Sequence, residues 1–177
     1  MILMQCNEEQ RALVGRLAEE NFKSGLNCAE CVCDALMRSG ALTMPRQAVA
    51  MCTGFGGGIG LSGSVCGAFV AAVMANGAAH GRPDPMTSVP DTMERGKQLA
   101  AKYYRRYNAM FRDFAEREHG TTCAEICAPF DWEAKERRKN CLRVIVDTTL
   151  MAYDYLIISQ EEAFSIPYGK NMAGLKD

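Results

Sequence analysis

The stretch from Thr53 to Gly77 constrains the fold of this 177-residue chain more than any other. It opens as a glycine-dense loop, TGFGGGIGLSG, and continues into a segment, Val65 to about Ala79, that predicts a helix with almost no polar face. A helix of this kind is buried rather than laid on a surface, so we expect it at the centre of a bundle. One cysteine, Cys66, stands where the loop meets the helix.

Helices are predicted on both sides of this segment, because apolar residues recur at 3–4 spacing between recognisable capping residues. In chain order the predicted helices are Asn7 to Gly25, Asn27 to Gly40, Pro45 to Gly54, Asp91 to His119, a turn holding Cys123 and Cys127, a charged segment from Asp131 to Lys139, and Cys141 to about Ile158. The Asp91 helix carries a predicted buried stripe of Leu99, Ala100, Tyr103, Tyr107, Met110, Phe111 and Phe114. Only Leu142 to Val146 is β-branched enough to be ambiguous. We therefore expect an all-α fold, with residues 1–177 forming one helical bundle around the apolar helix.

Composition removes several classes of function. The formal net charge of -1, without a dense basic run, lacks the electrostatic footprint of nucleic-acid binding. The first 25 residues carry charges throughout, and the longest apolar run is too short to cross a bilayer. These features predict a cytoplasmic protein whose partners are small molecules or other proteins. In such a chain, nine cysteines are better explained as metal ligands or redox thiols than as disulfides.

Four cysteines follow a short polar residue at a predicted helix start. Cys28 and Cys123 each occupy the first helical position of a capping box, N-C-A-E and T-C-A-E. Ser64 is the predicted N-cap two residues before Cys66, and Asn140 precedes Cys141 as a weaker case. Free backbone N–H groups and the helix dipole at such positions favour a thiolate, so we expect a lowered pKa for Cys66. If successive helices run up and down, the starts at Cys28, Cys66 and Cys123 meet at one end of the bundle. Counting the Asp131 segment as a return leg brings Cys141 to that end as well, which predicts a shared thiol site.

The remaining candidates have simpler structural explanations. On a helix Cys31 lies only loosely on the same side as Cys28 and Cys33 points elsewhere, whereas Cys127 lies one turn after Cys123 on the same face. Cys6 and Cys52 are expected to be ordinary terminal and core cysteines. His80 and His119 lie near helix C-termini, and the run from Glu133 to Lys139 is typical of a solvated helix face. The match of Gly58 to Gly63 to G-x-G-x-x-G lacks the preceding strand that a dinucleotide site requires.

At Cys28, Cys66-Gly67-Ala68, Cys123 and Cys141 the chain resembles the bacterial and archaeal family of redox-active proteins named for its pattern, C-GCAxxG-C-C. This family is similar to the iron–sulfur part of split-Soret cytochromes. The resemblance implies a redox role, with Cys28, Cys66, Cys123 and Cys141 as ligands of an iron–sulfur cluster. Four thiolates satisfy such a cluster, and helix N-termini offset its negative charge.

Three hypotheses follow. The first is an electron-transfer or redox protein that holds an iron–sulfur cluster on the four cysteines and serves an unidentified redox partner protein or small-molecule donor. The second is a thiol–disulfide redox protein in which Cys66 attacks and Cys28, Cys123 or Cys141 resolves. The third is a non-redox interaction module with structural zinc on the same thiolates, which is the less favoured metal. The apolar helix that follows the glycine loop, together with the loop itself, also predicts an exposed apolar surface. Such a surface would be covered in a homodimer.

Overall fold

The computed structural model describes residues 8–176, and within that range the chain is helical, with a single isolated bridge between Val65 and Thr122 as its only β pairing. The α-helices are α1 Glu8–Lys23, α2 Cys28–Arg38, α3 Gly67–His80, α4 Pro85–Ser88, α5 Thr92–Gln98, α6 Tyr104–Glu118, α7 Cys123–Cys127, α8 Lys135–Leu156 and α9 Gln160–Phe164. A 3₁₀ helix, Arg46–Phe55, precedes the glycine loop, and a π-helical turn, Leu99–Tyr103, joins α5 to α6. The all-α prediction is confirmed. The predicted helix start at Asn7, like Cys6, lies outside the described residues.

The apolar helix α3 packs against α2, α6, α8 and the 3₁₀ helix. Its buried side chains include Ala68, Ala71, Ala72 and Ala75, whose small size allows the neighbouring helices to approach closely. The second layer of contacts is made by α1, which packs on both α2 and α8. Across residues 8–176, no helix is both long enough and apolar enough to cross a membrane.

The predicted break before Cys141 is wrong. Residues Lys135–Leu156 form one continuous helix, so Cys141 lies in its second turn instead of at a helix start. The segment contains neither glycine nor proline to end a helix, and the Asn140 side chain does not cap Cys141. Its amide donates to the carbonyl of Ile126 across the bundle.

The stripe predicted on the Asp91 helix is partly wrong. Asp91 does cap α5, and Met110 and Phe114 are buried, but Phe111 is 49% exposed. The π turn shifts the helical phase before α6. Arg106 is 2% exposed, and its guanidinium donates to the carbonyls of Tyr155, Ile158 and Ser159. These bonds satisfy the carbonyls at the end of α8.

Candidate functional site

Reciprocal capping bonds fix the starts of two short helices. The Asn27 side chain accepts from the Glu30 N–H at 2.9 Å, and the Glu30 carboxylate accepts from the Asn27 N–H at 3.0 Å. Thr122 and Glu125 repeat this arrangement, with distances of 3.1 Å and 3.0 Å. Both capping boxes were predicted and are confirmed. They place a cysteine at the first helical position of α2 and of α7, namely Cys28 and Cys123.

The glycine loop brings the start of α3 against the start of α7. Gly58 has a φ of 69°, and a Cβ built on it would lie 2.8 Å from the Cβ of Cys123, so the loop requires glycine there. The Cys123 N–H donates to the Ser64 carbonyl at 2.7 Å, and the Cys66 N–H donates to the Thr121 carbonyl at 2.9 Å. These two bonds hold Cys66 and Cys123 in adjacent segments although they are far apart in sequence.

The predicted Ser64 cap is wrong. Helix α3 begins at Gly67, its N-cap residue is Cys66 itself, and no side chain bonds to its first N–H groups. Ser64 instead uses its backbone carbonyl to join α7. The N–H groups of Phe69 and Ala68 nevertheless act to lower the pKa of the Cys66 thiol, as expected for a residue at a helix N-terminus.

The four cysteines that the sequence predicts as ligands, Cys28, Cys66, Cys123 and Cys141, all line one cavity of about 530 Å³. A fifth thiol joins them, because Cys127 follows Cys123 by one turn of α7 and the two sulfurs are 4.0 Å apart. The thiols of the cavity are Cys28, Cys66, Cys123, Cys127 and Cys141. The predicted meeting of helix starts accounts for three of them, whereas Cys141 reaches the cavity from the side of α8.

Burial controls the acidity of these thiols. Removal from water raises the pKa of Cys66 to about 12, with a smaller contribution from the charge of Cys28. The same cause, with repulsion from Cys127, raises the pKa of Cys123 to about 12 and that of Cys141 to about 11. The predicted lowering of the Cys66 pKa is therefore wrong. Desolvation outweighs the helix N-terminus because Cys66 is only 7% exposed.

Backbone and side-chain donors surround the sulfurs. Burial raises the pKa of Cys28, but N–H groups of Gly57, Ala29 and Ala68 point toward its sulfur and oppose that shift. The guanidinium of Arg137 lies 3.8 Å from the Cys141 sulfur and lowers the pKa of that thiol against the larger effect of burial. These groups would stabilise negative charge on sulfur once thiolates form.

Three residues of the site were not predicted. Arg137 and Arg138 line the cavity, although their charged segment was interpreted as a solvated face. Arg137 stacks on Trp132, with the guanidinium carbon 4.1 Å from the ring centroid. The sequence does place Arg137 one helical turn before Cys141, so the two side chains can meet on one helix face. This proximity could not be predicted as long as Arg137 and Cys141 were assigned to two different helices. No residue that lines the described cavity is acidic.

The donor set fits a group larger than one metal ion. Among residues 8–176, no three His, Cys, Asp or Glu side chains are placed to hold a single metal ion. A tetrahedral zinc site holds its sulfurs about 2.3 Å from the metal, hence roughly 3.8 Å from one another. The thiols here are instead distributed around the wall of a cavity. An iron–sulfur cluster spreads its thiolates over several iron atoms, and several thiols around one cavity are compatible with such a group.

The remaining predicted candidates lie elsewhere. Cys31 is buried and donates toward the Leu26 carbonyl, whereas Cys33 and Cys52 contact each other on the far side of α2. His80 ends α3 with its Nε2 2.9 Å from the Leu156 carbonyl. His119 has a φ of 53° and ends α6. None of these residues lines the five-thiol cavity.

Comparisons with known proteins show to which family the chain belongs. The searches of curated proteins and of solved structures gave no significant match. A family model described as "Putative redox-active protein (C_GCAxxG_C_C)" matches residues 26–155. That range covers most of the chain and contains all five thiols of the cavity. The chain therefore belongs to the C_GCAxxG_C_C family of redox-active proteins.

Proposed function

We propose that this protein holds an iron–sulfur cluster on Cys28, Cys66, Cys123 and Cys141 and transfers electrons through it. One observation carries the proposal: four thiols from distant parts of the sequence line a single cavity. When bound, the cluster supplies one-electron redox chemistry, and the protein supplies the thiolates, the donors around them and the exclusion of water.

The charges of the cavity support this assignment. Four thiolates with a cluster form a net anion, which needs donors and cations nearby. Backbone N–H groups point at Cys28 and Cys66, and Arg137 contacts Cys141. In the metal-free protein the raised pKa values keep the thiols neutral near pH 7, so cluster binding releases protons.

A thiol–disulfide function is the second candidate. The 4.0 Å separation of the Cys123 and Cys127 sulfurs favours it. The raised pKa of Cys66 counts against the version in which Cys66 is the attacking thiol. The structural zinc module is the third candidate, because among residues 8–176 no three metal-ligating side chains are grouped around one point.

Anaerobic purification with metal and sulfide analysis tests the proposal. We expect on the order of two to four irons per chain with matching acid-labile sulfide, a brown colour, and bleaching on reduction. Cys28→Ser should lose most of the iron. Cys31→Ser is the matched control, because Cys31 lies three residues later in α2, is fully buried and does not line the cavity.

The alternatives give different results in the same experiment. Iron-free, colourless protein that loses thiols reversibly on mild oxidation would contradict the cluster and support the thiol–disulfide function instead. Stoichiometric zinc in a protein without redox activity would contradict both redox functions and support the structural zinc site. Equal iron in Cys28→Ser and Cys31→Ser, with circular dichroism showing both folded, would remove the ligand assignment.

We further propose that the cavity mouth is the contact surface for partners. Leu61 is 71% exposed and Trp132 is 48% exposed, and both line the cavity. Exposed apolar side chains beside a redox centre suit a redox partner protein or the second copy of a homodimer. Sedimentation that shows a monomer at working concentration would remove the homodimer. The cytoplasmic location and the assignment of all 177 residues to one domain stay predictions.

A further inference from the structure

Cys127 is not one of the four cysteines on which the resemblance rests, yet its thiol lies beside that of a proposed cluster ligand, Cys123. Its sulfur lies 4.0 Å from that of Cys123. We propose that Cys123 and Cys127 form a reversible disulfide with a small-molecule disulfide as oxidant, and that this disulfide and the cluster exclude each other. The exclusion rests on the proposed function, because it requires Cys123 to be a cluster ligand.

This bond requires a small rearrangement of α7. Residues four apart in a helix have Cα atoms about 6 Å apart, within the range of about 4.4–6.8 Å found for disulfides. Their Cβ atoms, however, are about 5–6 Å apart instead of about 3.5–4.5 Å, so the last turn of α7 must tighten. The sulfurs must approach from 4.0 Å to about 2.05 Å. Helix α7 is only five residues long, ends at Cys127 and packs lightly against the other helices. Its last residue can therefore move without disturbing the bundle core.

Access distinguishes this pair from the other thiols. Cys123 and Cys127 also line a second, open pocket of about 200 Å³, which is bounded as well by Gly63, Ala124, Ala128 and Phe130. Cys28, Cys66 and Cys141 do not line it. A small disulfide can thus reach this pair without passing through the cavity assigned to the cluster. Cys123 is the more exposed of the two, so it is the expected point of attack.

The chemistry balances as two successive exchanges. The Cys123 thiolate attacks one sulfur of the small-molecule disulfide, whose S–S bond breaks, and one thiol leaves with a proton. The Cys127 thiolate then attacks the Cys123 sulfur in this mixed disulfide and releases the second thiol. The two cysteines lose two electrons and two protons in total, and the oxidant becomes two thiols. An external dithiol reverses the reaction.

Cys141 is the competing partner. Its thiol also contacts Cys127, which raises the pKa of Cys141 together with the larger effect of burial. Cys141 is additionally held by Arg137 at 3.8 Å and is carried by the long, well-packed helix α8. The short helix that carries both Cys123 and Cys127 makes their closure the smaller rearrangement.

Oxidised glutathione on metal-free protein tests the pair. After oxidation and alkylation of free thiols, trypsin should release residues 118–135 as one peptide that contains both cysteines. We expect this peptide to escape alkylation and to be lighter by two hydrogens. Cleavage after Glu125 should leave two fragments joined only by the disulfide. Reduction should restore alkylation at both cysteines.

Variants and loaded protein complete the test. Cys127→Ser should bind iron like the unchanged protein when it is loaded, whereas its metal-free form should carry glutathione on Cys123 after oxidation, because the resolving thiol is gone. Cys31→Ser should form the disulfide like the unchanged protein. In cluster-loaded protein we expect disulfide formation to slow at least about tenfold. Full alkylation of Cys127 after oxidation, or its linkage to Cys141, would overturn the pair. Equal rates of disulfide formation with and without bound iron would overturn the claim that disulfide and cluster exclude each other. Protein that never binds iron but still forms the disulfide would refute the proposed cluster and leave the proposed disulfide standing.

Discussion

Gly67→Ala is the sharpest test of how the first two motif cysteines are packed. A Cβ at this first residue of α3 would lie 2.5 Å from the Phe55 carbonyl oxygen and 2.6 Å from the Cys28 sulfur. Both distances are roughly 1 Å shorter than van der Waals contact. The added methyl must push α3 away from the 3₁₀ helix or move the Cys28 side chain along the cavity wall.

The magnitude follows from two opposed effects. Overpacking of this kind costs about 1–3 kcal/mol, whereas alanine in place of glycine in a helix contributes up to about 1 kcal/mol. We expect a net loss of about 1–2 kcal/mol in the free energy of unfolding of the metal-free protein, measured by urea denaturation. Because the Cys28 sulfur must move, the iron content after reconstitution should also fall.

Gly77→Ala is the matched control on the same helix. There the nearest atom to an added Cβ is the Tyr107 hydroxyl oxygen at 3.8 Å, which is an ordinary contact. This variant should keep its iron content and be unchanged or stabilised by up to about 1 kcal/mol. If Gly67→Ala matched Gly77→Ala in both stability and iron content, the close contact between α3 and Cys28 would be refuted.

Three further predictions concern acidity, charge and capping. In metal-free protein, alkylation of Cys66 followed by mass spectrometry should accelerate about tenfold per pH unit toward its pKa of about 12, and a plateau near pH 9 would contradict the burial effect. Arg143→Met should cost about 1–3 kcal/mol in urea denaturation, because it leaves the fully buried Glu118 carboxylate without its 2.6 Å partner; no change would mean that water reaches that carboxylate. Thr122→Ala should lower the free energy of unfolding by about 1 kcal/mol because it removes the α7 cap, whereas Ser64→Ala should lower it by less than about 0.5 kcal/mol. Equal losses for the two variants in urea denaturation would show that Ser64 does act as a cap.

The capping residues were readable from the sequence because they act locally. Asn27 with Glu30, and Thr122 with Glu125, satisfy backbone groups within four residues, so their spacing alone predicts the bonds. The predicted Ser64 cap was wrong because Ser64 is engaged through its backbone by Cys123, a partner 59 residues later. A local pattern cannot reveal a competing partner that is supplied by another helix.

The sequence by itself determined the all-α class, the burial of the apolar helix and the four cysteines that share a cavity, because each rests on periodicity, capping or a recurring pattern. The tertiary structure alone decided the rest. It placed Cys127 and Arg137 at the site, carried Cys141 there within a continuous helix, and buried Cys66 deeply enough to raise its pKa. The physical reason is that the acidity of a thiol depends on the water, charges and donors around it. Those surroundings come from segments that are remote in the chain and meet only when it folds.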